Sequence, residues 1–301
     1  MMQNVLNGMR ARFVSLASAV VFSFGALEPS VAQTPPMSRD AQGPDIELVD
    51  PGVLRVCADP KSLPFSNEKA EGFENKIADV LAARLGRSVA YTWYPQTTGF
   101  VRNTLWAHRC DVIIGFPQGD DLVQGTNPYY RSVYTLVYKA GGELEGVDAL
   151  SDERLKGKRI GVVAGTPPAT NLALHGLIEN AKPYRLMVDT RVESSGENMI
   201  NDLVKGEIDA AVLWGPLAGH YAKLAGTKLD VVPLLKEQGG PALAFRITMG
   251  VRATDQNWKR LLNRVLAQSQ NEIYKIILGY GVPLLDDKDQ LISEASLAKG
   301  P

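Results

Sequence analysis

Short apolar segments alternate with segments of helical periodicity along most of this 301-residue chain. The apolar segment 53–58 is followed by apolar residues at helical spacing over 73–85, and strand character returns at 89–93. A further helix is predicted over 99–107, before a buried strand at 111–115. Strands that alternate with helices in this way predict a mainly parallel sheet with helices on both of its faces.

The same order of elements occurs a second time, after an extended segment at 130–138 that is rich in aromatic and β-branched residues. The strands and helices of this second unit are predicted at 159–163, 172–178, 185–188, 197–204, 209–213 and 216–224. A strand at 245–251 and a long amphipathic helix at 258–278 complete the pattern. The chain is long enough for two lobes that each bury a core of their own.

Two glycine-containing linkers indicate that one lobe is inserted into the other. A chain that leaves the first lobe at one linker and returns at the other makes 51–141 and 235–301 one discontinuous lobe, and 142–234 the inserted lobe. A hinge between the lobes is predicted at Gly141, Gly142, Gly239 and Gly240. Both lobes would direct the loops at the carboxyl ends of their strands into one cleft, where a ligand binds.

The N-terminus has the three-part form of a secretory signal. Arg10 and Arg12 precede an apolar run at 13–27, and Ser30-Val31-Ala32 forms a cleavage site of the small-x-small type. We expect a signal peptide over 1–32, a flexible extension over 33–50, and a periplasmic mature chain. The apolar run is shorter than the roughly 20 residues that span a bilayer, so no membrane insertion is expected after cleavage. An uncleaved N-terminal anchor is the alternative.

The composition argues against several classes of function. A net charge of −1 and a pI near 6.3 are unlike a nucleic-acid-binding domain, and 45% hydrophobic residues are unlike a disordered chain. The chain has no nucleophile elbow, metal-binding helix or phosphate-binding loop, so we expect neither an enzyme nor a bound cofactor.

The two cysteines and three histidines do not indicate a metal site. Cys57 and Cys110 lie on segments predicted to be neighbouring strands, and in an exported protein they form either one disulfide or two small buried side chains. His108, His175 and His220 have no ligand spacing, so no metal site is expected.

Several longer strings of residues resemble one family closely. The order of the segments resembles type II periplasmic solute-binding proteins of solute-binding family 3, and the more specific strings resemble the methanol-oxidation J proteins, MxaJ and XoxJ. These strings lie at 54–60, 63–69, 72–78, 99–105, 109–112, 128–132, 214–219, 249–252 and 280–284. The short segment Gly165-Thr166-Pro167 favours the XoxJ branch.

The resemblance implies a fold and a role. The fold is an α/β, two-lobed type II periplasmic binding protein, in which each lobe is a mixed, mainly parallel sheet flanked by helices and a two-strand hinge joins them. The family is encoded with pyrroloquinoline-quinone (PQQ)-dependent alcohol dehydrogenases and their cytochrome c. We therefore expect a monomeric accessory protein whose partner is a PQQ methanol dehydrogenase, with its cytochrome c as a further partner.

The cleft departs from that of amino-acid-binding members. The segment 115–122 has no arginine for a ligand carboxylate, and Trp214 stands where an aspartate would bind an ammonium group. Pro167 and Pro168 have no backbone N–H for an anion at the start of their helix, although Pro167 also suits a first helical turn. Solvated surface positions are the alternative for the polar residues, and core positions for the aromatic ones. The cleft is predicted to be lined by Asp59, Phe65, Asn67, Trp93, Phe100, Arg102, Phe116, Gln118, Tyr129, Gly165, Thr166 and Trp214.

Three functions fit such a cleft. The favoured hypothesis is an accessory protein that binds the dehydrogenase, or a segment of it, during activation or maturation. A receptor of an ABC transporter for a small, weakly charged solute is the alternative. Under either hypothesis the ligand of the cleft can be a small molecule or a peptide. Delivery of a cofactor or a metal is the third, and the lack of clustered acids argues against the metal.

Overall fold

The computed structural model describes residues 47–297. The predicted signal peptide over 1–32 and most of the extension over 33–50 lie outside the described residues. Within the described part of the chain, no helix combines the length and the apolar character that a membrane span requires.

The elements follow one another in the alternating order that the sequence predicts. The strands are β1 (Val53–Ala58), β2 (Lys61–Ser62), β3 (Ser66–Asn67), β4 (Ser88–Trp93), β5 (Val112–Pro117), β6 (Gln124–Gly125), β7 (Tyr130–Lys139), β8 (Ile160–Val163), β9 (Lys182–Tyr184), β10 (Ala210–Trp214), β11 (Leu229–Pro233), β12 (Ala244–Val251), β13 (Leu284–Leu285) and β14 (Leu291–Ile292). The helices are α1 (Phe73–Leu85), α2 (Phe100–Asn103), α3 (Pro167–Leu174), α4 (Ser195–Lys205), α5 (Gly215–Leu224), α6 (Gln256–Gly279) and α7 (Glu294–Leu297).

The first lobe is a mixed sheet with strand order β4-β1-β5-β12. Strands β4, β1 and β5 are parallel, and β12 runs antiparallel to β5. Helices α1 and α6 cover one face, where Phe73, Ile77 and Leu81 recur at helical spacing and are fully buried. Helix α1 ends at Gly86, whose left-handed backbone (φ 66°) costs a glycine little.

The second lobe repeats this architecture with strand order β9-β8-β10-β7, and β11 pairs with β7. Strands β8, β9 and β10 are parallel, and β7 runs antiparallel to β10 and β11. Helices α4 and α5 bury Met199, Leu203 and Ala218 against one face of the sheet. Helix α3 buries Leu172 in the core on the other face. The molecule is thus the expected two-lobed α/β fold.

Strand β7 passes through both sheets and joins the lobes. Its first residues pair with β12, up to Val133 with Ala244, and from Tyr134 onward it pairs with β10. The chain returns through residues 234–243, between β11 and β12. Both crossing segments run side by side, because the amide of Tyr134 donates to the carbonyl of Leu243.

The predicted hinge glycines lie in two different places. Gly141 and Gly142 follow the end of β7, beyond the pairing of Lys139 with Leu229, and so lie in the second lobe away from the crossing. The first crossing is at 133–134, which corrects the expectation of a crossing at 141. Gly239 and Gly240 do lie in the returning segment.

Two local predictions also need correction. The helix expected over 99–107 is only the single turn α2, and its C-cap residue is Thr104, whose hydroxyl donates to the Phe100 carbonyl at 2.6 Å. The strand expected at 185–188 is instead β9, which pairs with β8 over Lys182–Tyr184. The side chains of Leu186 and Met187 are about half exposed.

Candidate functional site

The two lobes enclose a cavity of about 420 Å³ near the carboxyl ends of β5 and β10. Most of its walls are aromatic or aliphatic. The lining residues are Phe65, Glu74, Gln96, Gly115, Phe116, Pro117, Tyr130, Tyr134, Pro167, Trp214, Phe245 and Ile247. A cavity of this size and composition suits an uncharged, largely apolar group with few polar anchors.

Three rings from three adjoining strands form one wall of the cavity. Tyr134 of β7 pairs with Trp214 of β10 in the sheet, and their ring centroids are 5.2 Å apart. Phe245 of β12 lies 6.3 Å from Tyr134 and 5.9 Å from Trp214, in edge-to-face contacts. Such contacts favour a fixed arrangement of the rings. The wall is built where β7 passes from one lobe to the other.

Of the residues that the structure describes, Glu74 is the one carboxylic acid in the lining of the cavity. It lies in the first turn of α1, where its backbone N–H donates to the carbonyl of Phe65 at 2.9 Å. Its carboxyl lies against the backbone of β5 at Gly115. A Cβ atom at Gly115 would be 2.1 Å from Glu74 Oε1, so glycine makes the space that this carboxyl occupies.

Burial raises the pKa of Glu74 from 4.5 to about 8, and the negative charge of Asp59 acts in the same direction. The position at a helix N-terminus favours the carboxylate, but by only about 0.3–1 kcal/mol. One pKa unit corresponds to about 1.4 kcal/mol, so burial outweighs the helix dipole. At neutral pH Glu74 therefore carries its proton and presents a hydrogen-bond donor to the cavity.

Asp59, directly after β1, connects the two lobes. Its buried carboxylate accepts hydrogen bonds from the backbone N–H groups of Lys61, at 2.8 Å, and Gln96, at 2.6 Å. The hydroxyl of Thr190 donates to both of its oxygens at 2.8 Å. Thr190 lies between β9 and α4, so this hydrogen bond crosses from the second lobe to the first.

Two further contacts cross between the lobes on the same side. Lys61 Nζ donates to the carbonyl of Arg191 at 3.2 Å. The hydroxyl of Tyr221 in α5 donates to the carbonyl of Leu63 at 3.0 Å. This side of the cleft is thus held by three polar contacts in the structure.

A second cavity of about 210 Å³ adjoins the first and shares Phe65, Gln96, Tyr134 and Trp214 with it. Apart from Ser62, its further lining comes from the second lobe and includes Thr166, Arg185, Leu186, Ser194 and Leu217. The Arg185 side chain is 82% exposed and pairs loosely with Glu193, at 3.6 Å. The cleft therefore runs from an apolar inner end to a more polar mouth.

The structure brings part of the predicted cleft together. Phe65, Phe116 and Trp214 line the larger cavity, and Thr166 lines the smaller one. Asp59 lies at the contact between the lobes. Gly165 forms the left-handed turn (φ 79°) that leads into α3.

Five other predicted residues lie outside both cavities. Tyr129 is buried in the core, where its hydroxyl donates to the carbonyl of Ile114, and Phe100 packs beside the disulfide. Asn67 hydrogen-bonds with Glu71 in the turn before α1. The other two are more exposed: Trp93 stacks on Tyr91 at 4.5 Å on the rim, and Arg102 is exposed on α2.

Gln118 is a further predicted residue outside the cavities. It lines an outer groove together with Trp106 and Asp120. The crossing of β7 and the close approach at Gly115 instead bring in residues that the sequence reasoning did not place in the cleft: Glu74, Gln96, Tyr130, Tyr134 and Phe245. Some of these residues have a signal in the sequence, since Tyr134 lies in a predicted aromatic strand and Glu74 lies two residues after a glycine at a predicted helix start.

Cys57 and Cys110 form a disulfide, with their Cα atoms 5.4 Å apart. The disulfide lies in a buried cluster with Phe100, Leu105 and Phe116, behind one wall of the larger cavity. Within residues 47–297, no group of three or more His, Cys, Asp or Glu side chains is arranged to hold a metal ion.

Known proteins resemble this chain over most of its length. No family model matches it. The chain is 30% identical to protein MoxJ of Methylorubrum extorquens AM1 over 300 residues, which cover 94% of this chain and 98% of MoxJ. The crystal structure of the periplasmic binding protein XoxJ from Methylobacterium extorquens AM1 superimposes with a TM-score of 0.67 at 44% identity, over 78% of this chain and all of that one.

A second solved structure is also similar. The crystal structure of MxaJ from Methlophaga aminisulfidivorans MPT has a TM-score of 0.69 at 28% identity, over 77% of this chain and all of that one. The higher identity to XoxJ favours the XoxJ branch.

Proposed function

Since the chain belongs to the family of methanol-oxidation J proteins that includes MoxJ, MxaJ and XoxJ, we propose that it is a periplasmic accessory protein of a PQQ-dependent methanol dehydrogenase. It binds the dehydrogenase, or a segment of it, during activation or maturation. The branch favours a lanthanide-dependent enzyme. The periplasmic location rests on the N-terminal signal pattern and on the similarity to a periplasmic binding protein.

The chemistry of the cleft is the observation that supports this proposal. A free amino acid carries a carboxylate and an ammonium group, and burying either without an opposite charge is unfavourable. Among residues 47–297, the lining of the larger cavity includes neither an arginine nor a lysine, and the raised pKa of its one carboxyl, about 8, favours the protonated form at neutral pH. The larger cavity, at the inner end of the cleft, is therefore suited to an uncharged, apolar occupant.

A segment of a folded protein can supply such an occupant. Its apolar side chains leave water for the aromatic walls, and its backbone amides carry no net charge. The two cavities, of about 420 and 210 Å³, adjoin each other, since they share four lining residues. The more polar mouth of the cleft would contact the remainder of the partner surface.

Methanol dehydrogenase activity in periplasmic extract of a strain that lacks the gene tests the proposal. Addition of the purified wild-type protein should restore activity while the amount of dehydrogenase polypeptide stays constant. Trp214→Ala should fail to restore it, since Trp214 lines both cavities. Trp106→Ala is the matched control, because Trp106 is 49% exposed in an outer groove and should act as the wild type does.

Other results would contradict the proposal. If dehydrogenase activity is unchanged in the deletion strain while uptake of a solute is lost, the protein is a transport receptor. If Trp214→Ala and wild type restore activity equally, the dehydrogenase does not bind through the cleft.

A further inference from the structure

The inner end of the cleft contains an unusual combination of groups. The Glu74 carboxyl faces a cavity whose other walls are mainly rings and aliphatic side chains, and Gly115 gives it room beside β5. The hydrogen bonds of the described residues include none to its carboxyl oxygens, and the residue is only partly buried. A ligand that fills the cavity would bury the carboxyl completely, so a ligand that supplies it with a hydrogen-bond partner gains affinity.

The charged and titratable groups around Glu74 come from the turn after β1 and from β4 and the start of β7. Asp59 follows β1, Tyr91 lies in β4, Tyr129 directly precedes β7 and Tyr130 is its first residue. Burial raises the pKa of all three tyrosines, so they stay neutral across the range in which Glu74 titrates. Asp59 is already engaged by Thr190 and two backbone N–H groups.

We propose that the inner cavity selects uncharged apolar groups that bear a carbonyl oxygen, and that Glu74 donates the hydrogen bond that holds this oxygen. The inference rests on the proposed function, because the carbonyl can belong to a backbone or side-chain amide of the dehydrogenase. A small aromatic amide has the same chemistry and can occupy the same place. Ammonium ions are rejected, since a neutral acid offers them no counter-charge and the rings desolvate them.

Two neutral probes distinguish the sources of the carbonyl. N-acetyl-L-phenylalaninamide represents a protein segment, and benzamide represents a small molecule. Ligand-observed NMR titrations of the purified protein at pH 6.5 and pH 9.5 measure their affinities. Binding of either probe supports the proposal; a preference for the first identifies a peptide occupant, and a preference for benzamide identifies a small molecule.

The pH dependence identifies Glu74 as the donor. With a pKa of about 8, Glu74 is largely ionised at pH 9.5. If only the protonated form binds, the affinity falls roughly 30-fold between the two pH values, in proportion to the competent fraction. Glu74→Gln keeps a donor that does not ionise, so its affinity should be the same at both pH values. Glu74→Ala should bind weakly at both.

The matched control is Asp79→Asn, which removes an exposed carboxylate from the same helix and should behave as the wild type does. Circular dichroism at both pH values verifies that each variant is folded. Equal affinity of the wild type at the two pH values overturns the proposal, as does binding of benzylammonium at pH 6.5 as tightly as benzamide.

Failure of the proposed function gives a different pattern. If the probes bind as expected but the wild-type protein does not restore dehydrogenase activity, the accessory role is wrong and the ligand selectivity remains. If activity is restored but probe binding does not depend on Glu74, the selectivity proposal alone is wrong.

Discussion

At the scale of single residues, the character of the cleft depends on a carboxyl and a glycine that meet from distant parts of the chain. Glu74 extends from α1 to β5, and only a residue without a Cβ at position 115 leaves room for it. The carboxyl is thereby partly buried and faces a cavity whose other walls are mainly rings and aliphatic side chains. Position in the fold, more than residue type, decides that this glutamic acid is neutral at pH 7.

Glu74→Gln should stabilise the protein above about pH 5. The pKa of Glu74 is about 8 in the folded protein and near 4.5 in the unfolded chain. The contribution of the acid is therefore fully present below pH 4.5 and is lost progressively as the pH rises to about 8, because only the unfolded chain ionises in this range. A glutamine has no such loss. The variant should gain up to about 4 kcal/mol in free energy of unfolding at pH 7.5, because this pH lies three units above the pKa in the unfolded chain.

Urea unfolding at pH 4.5, 6 and 7.5 measures this difference. Asp79→Asn on the exposed face of α1 is the control, and its difference from wild type should stay small at every pH. A gap between Glu74→Gln and wild type that does not grow with pH would show that Glu74 is ionised in the folded protein.

Cleft residues at strand ends could be predicted from the sequence, whereas those placed by a contact between distant parts of the chain could not. Phe116 and Trp214 stand at the ends of strands, and strand ends meet at the ligand edge of a parallel sheet. Glu74 is recognisable as a cleft residue only when its contact with Gly115 is known. Tyr129 and Tyr130 point to opposite sides, as successive residues in an extended chain do. Tyr130 faces the cavity and Tyr129 lies in the core.

At the scale of elements, periodicity predicted the long and buried ones. β1, β5, β10, α1 and α6 were all predicted within a few residues of their observed bounds, because each buries a continuous apolar face. The short elements depended on local contacts instead. Helix α2 ends after one turn so that the chain can turn back toward Cys110, and the apolar residues at 186–187 belong to an exposed loop.

The disulfide should stabilise the folded protein and hold Phe116 in place. It joins β1 to Cys110, two residues before β5 begins, across a sequence separation of 53. Closing a loop of this length in the unfolded chain is worth about 2–4 kcal/mol. Cys57→Ala/Cys110→Ala should therefore lower the free energy of unfolding by that amount, as measured by urea unfolding, and should weaken probe binding because the bonded sulfurs pack behind Phe116.

The comparison is wild-type protein whose disulfide has been reduced and whose two cysteines have been alkylated after unfolding. Its free energy of unfolding should be compared with that of the double variant. A change of less than about 0.5 kcal/mol in the double variant would indicate that the cluster around Phe100 and Leu105 holds this region without the covalent link.

At the scale of the whole molecule, the two lobes are linked by two segments of the chain and by hydrogen bonds on one side of the cleft. β7 and the segment 234–243 carry the chain between the sheets and permit rotation, since few backbone groups separate the two pairings of β7. The contacts of Asp59, Lys61 and Leu63 with the second lobe oppose that rotation. Entry of a bulky protein segment requires that these contacts open.

Thr190→Val should shift the protein toward a more open arrangement. The substitution keeps the shape of the side chain but removes the hydroxyl that donates to Asp59 at 2.8 Å. A hydrogen bond to a charged group is worth about 1.5–3 kcal/mol, which corresponds to a tenfold or larger shift in the ratio of open to closed molecules. Thr190→Ser keeps the hydroxyl and is the matched control.

The separation of the lobes can be measured by pulsed electron–electron double resonance between two spin labels. The labels are attached at Asp79→Cys in α1 and Lys205→Cys in α4, because both sites are exposed on outer helices. The distance distribution should gain a longer component in Thr190→Val and should stay unchanged in Thr190→Ser. Adding Tyr221→Phe removes the contact with Leu63 and should enlarge the longer component further. Identical distributions in all four proteins would mean that packing, and not these hydrogen bonds, keeps the cleft closed.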